Sequence, residues 1–235
     1  MTFFKFPSTP YVVATSVVGN TDKIMTDNCV KNLLSEPVTI EEKIDGANLG
    51  ISFSSDGEIQ LQNRGNYLLL PFKGQWSPLS GWVKEHADDL FDNLLDRYIV
   101  YGEWCYAKHS IYYNRLPDWF IAFDVFDKTE KRFLSVRNRN AMLQNLHLAI
   151  VPKIDEGMFT IENLLSIQQK SQYGDGQCEG IYIRQDRGNW LYLRAKLVRA
   201  DFSQLISTHW SKRKITPNSI EKHINKAPAC PGGQS

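Results

Sequence analysis

The chain has 235 residues, 42% of them hydrophobic and 23% charged, a balance that excludes a disordered or fibrous chain and allows one large core or two small ones. No run of eighteen apolar residues occurs, and the first six residues carry Lys5 and meet Pro7 before any long apolar stretch, so a membrane span and a signal peptide are not expected and a soluble, intracellular protein is. The net charge of +1 excludes a surface coated in positive charge, although nucleic-acid affinity follows the clustering of lysine and arginine rather than their sum.

After an irregular start at Phe6-Pro7-Ser8-Thr9-Pro10, the pattern predicts a helix over 21–34 and strands over 38–44 and 49–54. The turn Ser55-Asp56-Gly57 leads into a further strand over 58–63. Trp82, His86, Leu90 and Leu94 recur near helical spacing and predict a helix over 82–95. Strands follow over 98–104 and 119–126, helices over 136–145 and 161–169, and a closing hairpin joins 180–184 to 190–198 through Arg187-Gly188-Asn189. Strands and helices without a regular βαβ alternation predict an α+β fold built on antiparallel sheet. No internal repeat is present.

The expected organisation is a domain over 1–200, a short basic extension over 201–226 packed on or beside it, and a flexible tail over 227–235. From Arg194 to Lys226, eight basic residues stand against Asp201 and Glu221 alone, a net of +6, whereas 85–96 is acidic. Such a segment is either a surface that tracks a phosphate backbone or a solvated helix face. Cys29, Cys105, Cys178 and Cys230 lie far apart without CxxC spacing, which suggests neither a zinc site nor a disulfide framework and leaves them reduced and structural.

Lys43 stands in the run Glu41-Glu42-Lys43-Ile44-Asp45-Gly46-Ala47-Asn48, where the apolar stretch of Pro37, Val38 and Ile40 meets a glycine turn. On a strand, Glu41, Lys43 and Asp45 share one face, and Ile40, Glu42 and Ile44 take the other. The lysine then has two readings. Paired with Glu41 or Asp45 on a solvated strand it is structural, the reading that four residues alone favour. With its pKa lowered by burial or a neighbouring cation, its neutral amine attacks phosphorus. Gly46 lets backbone come close to a ligand.

Further polar positions recur on the predicted strands. Glu103 ends the apolar strand of Tyr98, Ile99 and Val100, where its carboxylate accepts hydrogen bonds from a ligand's hydroxyls or joins a surface ion pair. Phe123 shares a strand face with Ile121 and Val125, as a core residue would. Glu179 falls on the face of Ile181 and Ile183, where a carboxylate needs a partner such as a metal ion or its bound water. Arg194 and Lys196, two positions apart on one face, can hold a phosphate between fixed charges.

Taken in order, these positions resemble the covalent nucleotidyltransferases, the superfamily of ATP-dependent DNA and RNA ligases and messenger-RNA capping enzymes. The nucleophile motif is matched by Lys43-Ile44-Asp45-Gly46, the arginine element by Asn63-Arg64-Gly65 and the third motif by Tyr101-Gly102-Glu103-Trp104. The aromatic element is matched by Ala122 to Asp127, the fourth motif by Glu179 to Arg184 and the fifth by Leu193-Arg194-Ala195-Lys196. Six elements in one order, over about Phe6 to Arg199, reverse the preference that the first motif carries alone.

The resemblance implies that Lys43 takes up AMP, that Glu103 accepts from ribose hydroxyls, and that Phe123 stacks on the purine. It further implies magnesium at Glu179, with manganese as a substitute, and the α-phosphate of ATP at Lys196. Glu41 and Glu42 join the nucleotide site, Arg64 contacts a phosphate, and Asn48 lies near the reacting phosphate or strand end. The superfamily often has lysine where Arg194 stands, so Arg194 is a departure.

Asparagine five residues after the lysine looks most like the nick-sealing RNA ligases of the phage T4 RNA ligase 2 branch, and Gly102 to Ser110 is similar to a bacterial and viral RNA-ligase branch. Only about 36 residues follow Arg199, too few for the oligonucleotide-binding barrel that DNA ligases and capping enzymes carry there. The expected partners are therefore RNA or mixed RNA/DNA ends at duplex nicks, with Trp210 and Lys212-Arg213-Lys214 or a partner protein adding grip, and no membrane. A minimal DNA ligase, a GTP-dependent guanylyltransferase and a non-catalytic nucleotide or RNA-end binding module are the alternatives. Lys108 and His109 receive no chemical step.

Overall fold

The computed structural model describes residues 3–14, 23–167, 170–202 and 215–221. The first helix, α1 (Asp27–Leu33), begins later than the sequence predicts because Thr26 caps it, its hydroxyl accepting from Cys29 N. Residues 23–25 are extended instead: Tyr11 N donates to Lys23 O and Met25 N to Tyr11 O. Residues 21 and 22 lie outside the described residues.

Among the described residues, ten strands form two sheets. In the first, β1 (Val38–Lys43) runs between β8 (Lys153–Gly157) and β9 (Gly180–Arg187), and β10 (Trp190–Val198) closes the far edge. In the second, β2 (Ala47–Phe53) lies between β3 (Ile59–Gln62) and β4 (Tyr98–Trp104), followed by β5 (Phe120–Asp127) and β6 (Arg132–Phe133). All these pairings are antiparallel; β7 (Ala149–Ile150) adds a parallel pairing with β5. The second sheet buries Leu49, Ile51, Val100, Trp104, Phe120 and Val125 beneath α2 (Leu79–Leu94) and α3 (Val136–Asn145). The first buries Ile40, Ile181, Ile183 and Ala195 together with Leu33 of α1 and Leu164 of α4 (Ile161–Ser166). Their other faces meet, through contacts such as Arg184 to Asp124 at 2.7 Å.

The strands β6, β7 and β8 escape the sequence reading. β8 is a charged edge strand, Lys-Ile-Asp-Glu-Gly, of the kind that discourages pairing with another chain and leaves no apolar alternation to detect. α4 ends at Ser166 with Ile167 as its C-cap, short of the predicted 169; residues 168 and 169 lie outside the described residues. So do Trp210, Lys212-Arg213-Lys214, Cys230 and the tail. Residues 215–221 lie against the segment after β4: Asn218 donates to Cys105 O at 2.7 Å and accepts from Tyr113 N at 2.9 Å. Among the described residues, no helix is long and apolar enough to cross a membrane.

Candidate active site

Lys43 ends a strand held on both sides, its backbone opposite Gly180 of β9. Its Nζ lies 2.6 Å from Glu179 Oε2, with both side chains largely buried. Burial alone would lower the lysine's pKa, but Glu179, with Tyr182 and Glu103 behind it, outweighs burial and holds it well above the usual value. Glu179 is itself pushed up, by burial first, against the opposing pull of Lys43 and Lys196.

This pairing differs from the predicted face in two respects. β1 stops at Lys43, so Asp45 leaves the pleat; its carboxylate accepts from Ser110 N at 2.7 Å and Ile111 N at 2.9 Å, and its own N–H donates to Tyr113. Glu179 precedes β9, so alternation does not place it with Ile181 and Ile183, which pack in the core with Ile40. Gly46 is close to β4 rather than opened for a ligand. A Cβ there would meet Glu103 Cβ and Trp104 O at 3.0 Å.

Across from Lys43, Asn48 and Glu103 are direct cross-strand partners on β2 and β4. Asn48 Oδ1 and Glu103 Oε2 are buried with no hydrogen-bond partner, which marks them as acceptors awaiting a donor. Burial, with Glu179 and Asp45 nearby, raises Glu103 to about 8, against the pull of Lys43 and Arg64. Arg64 is thus placed close enough to act on this carboxylate.

Strict alternation predicts one face for Ile121, Phe123 and Val125, but Phe123 keeps the side of Ile121, with which it lines a cleft, and not that of Val125, which is turned into the core. Tyr101 pairs with Asp124 and Gly102 with Ala122, so Phe123 is the extra residue of a β-bulge, a device that re-aims a side chain. Its ring runs nearly parallel to that of Tyr182, at 15° with centroids 6.4 Å apart. The two sheets therefore present facing rings, about twice the 3.4 Å stacking rise of nucleic-acid bases. A narrow cleft between them is also lined by Glu41, Glu42, Ile44, Glu103 and Arg184.

Beneath the cleft lies a buried ionic network. Arg139 binds Glu41 through two bonds, Arg184 binds Asp124 at 2.7 Å, and Arg194 takes the other Asp124 oxygen at 2.7 Å. Arg139 also donates to Phe123 O at 2.7 Å, and Arg184 reaches the same oxygen at 3.3 Å. Glu41 thus meets arginine, and Arg194, expected beside Lys196 on a phosphate, is engaged by Asp124 and lies over Phe6 and Phe133. Glu42 accepts from Gln172 N at 3.0 Å. Lys196 stays near Glu179, its Nζ 4.0 Å from the Tyr11 ring centroid and its charge pulling the Glu179 pKa down.

Sequence reasoning missed Tyr182, Arg139, Arg184 and Asp124. The alternation of β9 carried a signal for two of them: with Ile181 and Ile183 in the core, Tyr182 and Arg184 must face the other sheet. His109 is buried and paired with Gln75 at 2.8 Å, and Lys108 donates its backbone N–H to Thr216; neither lines the cleft.

Comparison with known proteins agrees with this arrangement. The family model described as RNA ligase matches residues 36–198. Naegleria gruberi RNA ligase with PPi superposes with a TM-score of 0.61 at 17% identity, covering 86% of this chain and 64% of that one. A lysine-to-alanine mutant of the same enzyme with ATP and Mn gives 0.60 at 14% identity, covering 87% and 64%. A glutamate-to-alanine mutant with AMP and Mn gives 0.58 at 14%, covering 86% and 64%. The chain thus spans about 64% of the length of these relatives, and at such identity the likeness shows the fold. No curated protein sequence matches. With 36–198 covered by the family model, and the two-sheet cleft built from those same residues, the chain belongs to the RNA ligase family.

Proposed function

We propose that the protein is an ATP-dependent RNA ligase that joins 5′-phosphate and 3′-hydroxyl ends through a lysyl-AMP intermediate on Lys43. The observation that carries this reading is the buried Lys43 amine, 2.6 Å from Glu179, at a cleft with facing aromatic rings and two unpartnered acceptors.

The base of ATP fits between Phe123 and Tyr182, and the ribose hydroxyls supply the donors that Glu103 and Asn48 lack. Lys196, next to Glu179, neutralises the α-phosphate. Lys43 must first lose a proton; once neutral, its nitrogen forms a bond to the α-phosphorus and the bond to pyrophosphate breaks. A 5′-phosphate oxygen of the RNA then takes the AMP and frees the lysine. The 3′-hydroxyl finally attacks that 5′-phosphate and AMP leaves. Positioning and charge neutralisation supply most of the acceleration in such transfers.

The donor set suits a divalent cation of the magnesium type. Among the described residues no group of three or more His, Cys, Asp or Glu converges, and magnesium commonly uses one or two carboxylates, water and substrate phosphates. Glu179 would hold such an ion, which when bound neutralises phosphate charge and competes with Lys43 for the carboxylate. The substrates are RNA or RNA/DNA ends at duplex nicks, with added grip from the basic end of the chain or a partner protein.

Incubation with α-labelled ATP and magnesium should leave a denaturation-resistant label on the wild-type chain and none on Lys43→Ala. A label retained by Lys43→Ala refutes the assignment. Labelling by GTP but not ATP would make the protein a guanylyltransferase instead.

A further inference from the structure

A second concavity lies on the same face of the second sheet as Asn48 and Glu103. Leu49, Ile51 and Phe53 enter the core, so Asn48, Gly50 and Ser52 point the other way. Ser52 is four residues from Asn48, about 13 Å along the strand. There Phe4, Tyr67, Phe126 and Phe133, with Lys128 and Lys131, line a cavity of about 480 Å³, within the size range of ligand sites.

The cavity is not part of the cleft beside Lys43. Phe6 stands between them, 4.9 Å from the Tyr101 ring and 5.3 Å from the Phe123 ring. Its aromatic wall is preformed: Phe4 stacks on Phe126 at 3.8 Å and 13°, and Phe133 lies 5.0 Å from Phe126. Lys131 is exposed at the rim, and Lys128 is half-buried, donating to Phe53 O at 3.1 Å. Gln60 and Gln62 add amide groups to the lining.

We infer that this cavity is a second nucleobase site, which takes one base of the RNA strand where that strand is unpaired while Lys128 and Lys131 meet its phosphates. Aromatic rings beside cationic side chains are the usual means of holding single-stranded nucleic acid without reading its sequence. The separation from Asn48 corresponds to about four stacked nucleotides at 3.4 Å each. The inference rests on the ligase reading for the identity of its ligand. It goes further by naming a contact away from the reacting ends.

The test uses the full chain and RNA strands carrying 4-thiouridine at single positions one to six nucleotides from the junction, on either side. Irradiation followed by peptide mapping should place a crosslink on Tyr67, Phe4 or Phe133 from a position two to five nucleotides away. Free 4-thiouridine monophosphate should label these residues poorly. In parallel, Tyr67→Ala should raise KM for the RNA at least about five-fold, the effect expected when one base stack is lost, and Lys131→Ala should raise it and weaken its salt dependence, while the ATP-derived label on Lys43 is unchanged.

Strand crosslinks that fall only in the Lys43 cleft overturn the proposal, as does labelling by the free monophosphate as strong as by the strand. A crosslink in this cavity without any label from ATP supports the site and refutes the ligase reading. A label from ATP without the crosslink does the reverse.

Discussion

Lys43 Nζ and Glu179 Oε2 are 2.6 Å apart, and this contact keeps the lysine amine protonated. A protonated amine is no nucleophile, so the proposed attack on ATP requires this pair to part. Substitution of Glu179 by glutamine removes the charge but keeps the shape, so burial is then opposed only by Tyr182 and Glu103 and the lysine's pKa falls. Labelling of Lys43 by a small amine-reactive reagent at pH 8, without ATP, should increase about tenfold for each unit of that fall. The Glu179→Gln protein should nonetheless form less ATP adduct, having lost the carboxylate proposed to hold the cation. Unchanged reagent labelling would show that Glu179 does not govern the amine.

Glu103 gives a pH signature to stability. Its folded pKa is about 8, raised by burial from 4.5, and Oε2 is buried although the residue keeps some surface. A carboxyl that holds its proton more tightly when folded contributes stability that is complete below 4.5, declines as pH rises and is gone above about 8. The Tm of the protein without ligand should therefore fall between pH 5 and 8.5, and Glu103→Gln should flatten that fall by on the order of 1 kcal/mol, a figure reduced for remaining solvent access. Parallel pH profiles of the two proteins would refute the claim.

The Glu41–Arg139 pair holds the carbonyl of Phe123, so damage to it should reach the nucleotide. Arg139→Met leaves Glu41 buried without its main partner and should cost about 3–5 kcal/mol in denaturant unfolding. Adding Glu41→Gln should recover part of that stability. The double variant should still show a raised KM for ATP, because Phe123 O has lost its 2.7 Å donor. Recovery of stability and KM together would mean that the network does not position the ring.

Asn218 links the 215–221 segment to the loop that fixes Asp45. Its amide serves Cys105 O and Tyr113 N, while Tyr113 and the backbone of Ser110 and Ile111 bind Asp45. Asn218→Ala leaves two buried backbone groups unpaired, at roughly 1–3 kcal/mol for each such group. Both Tm and the yield of ATP adduct should fall, whereas Asn218→Asp should retain the bond from Tyr113 N and lose less. A full adduct yield from Asn218→Ala at a temperature where it is folded would dissociate the segment from catalysis.

The strands of the candidate site were legible because each alternates around a buried row, as Ile181 and Ile183 do on β9. Lys43, Glu103, Phe123 and Glu179 do converge, and their order along the chain was visible. Their aim was not. Phe123 is turned by a bulge whose presence depends on the register between β4 and β5, and Glu41 finds Arg139 across 98 residues of sequence. Such partners are chosen by packing after both sheets exist, so no local pattern announces them. The two-residue strands β6 and β7 and the polar edge strand β8 were missed for the complementary reason: they have too little apolar periodicity of their own.

The amino-terminal segment crosses both sheets. Phe4 O accepts from Gln62 and Tyr101 of one sheet, and Pro10 and Val12 exchange backbone bonds with Lys196 of the other. This tether acts as a clasp across two jaws. Spreading the jaws would break its bonds on one side or the other, so the clasp opposes any widening of the cleft between them.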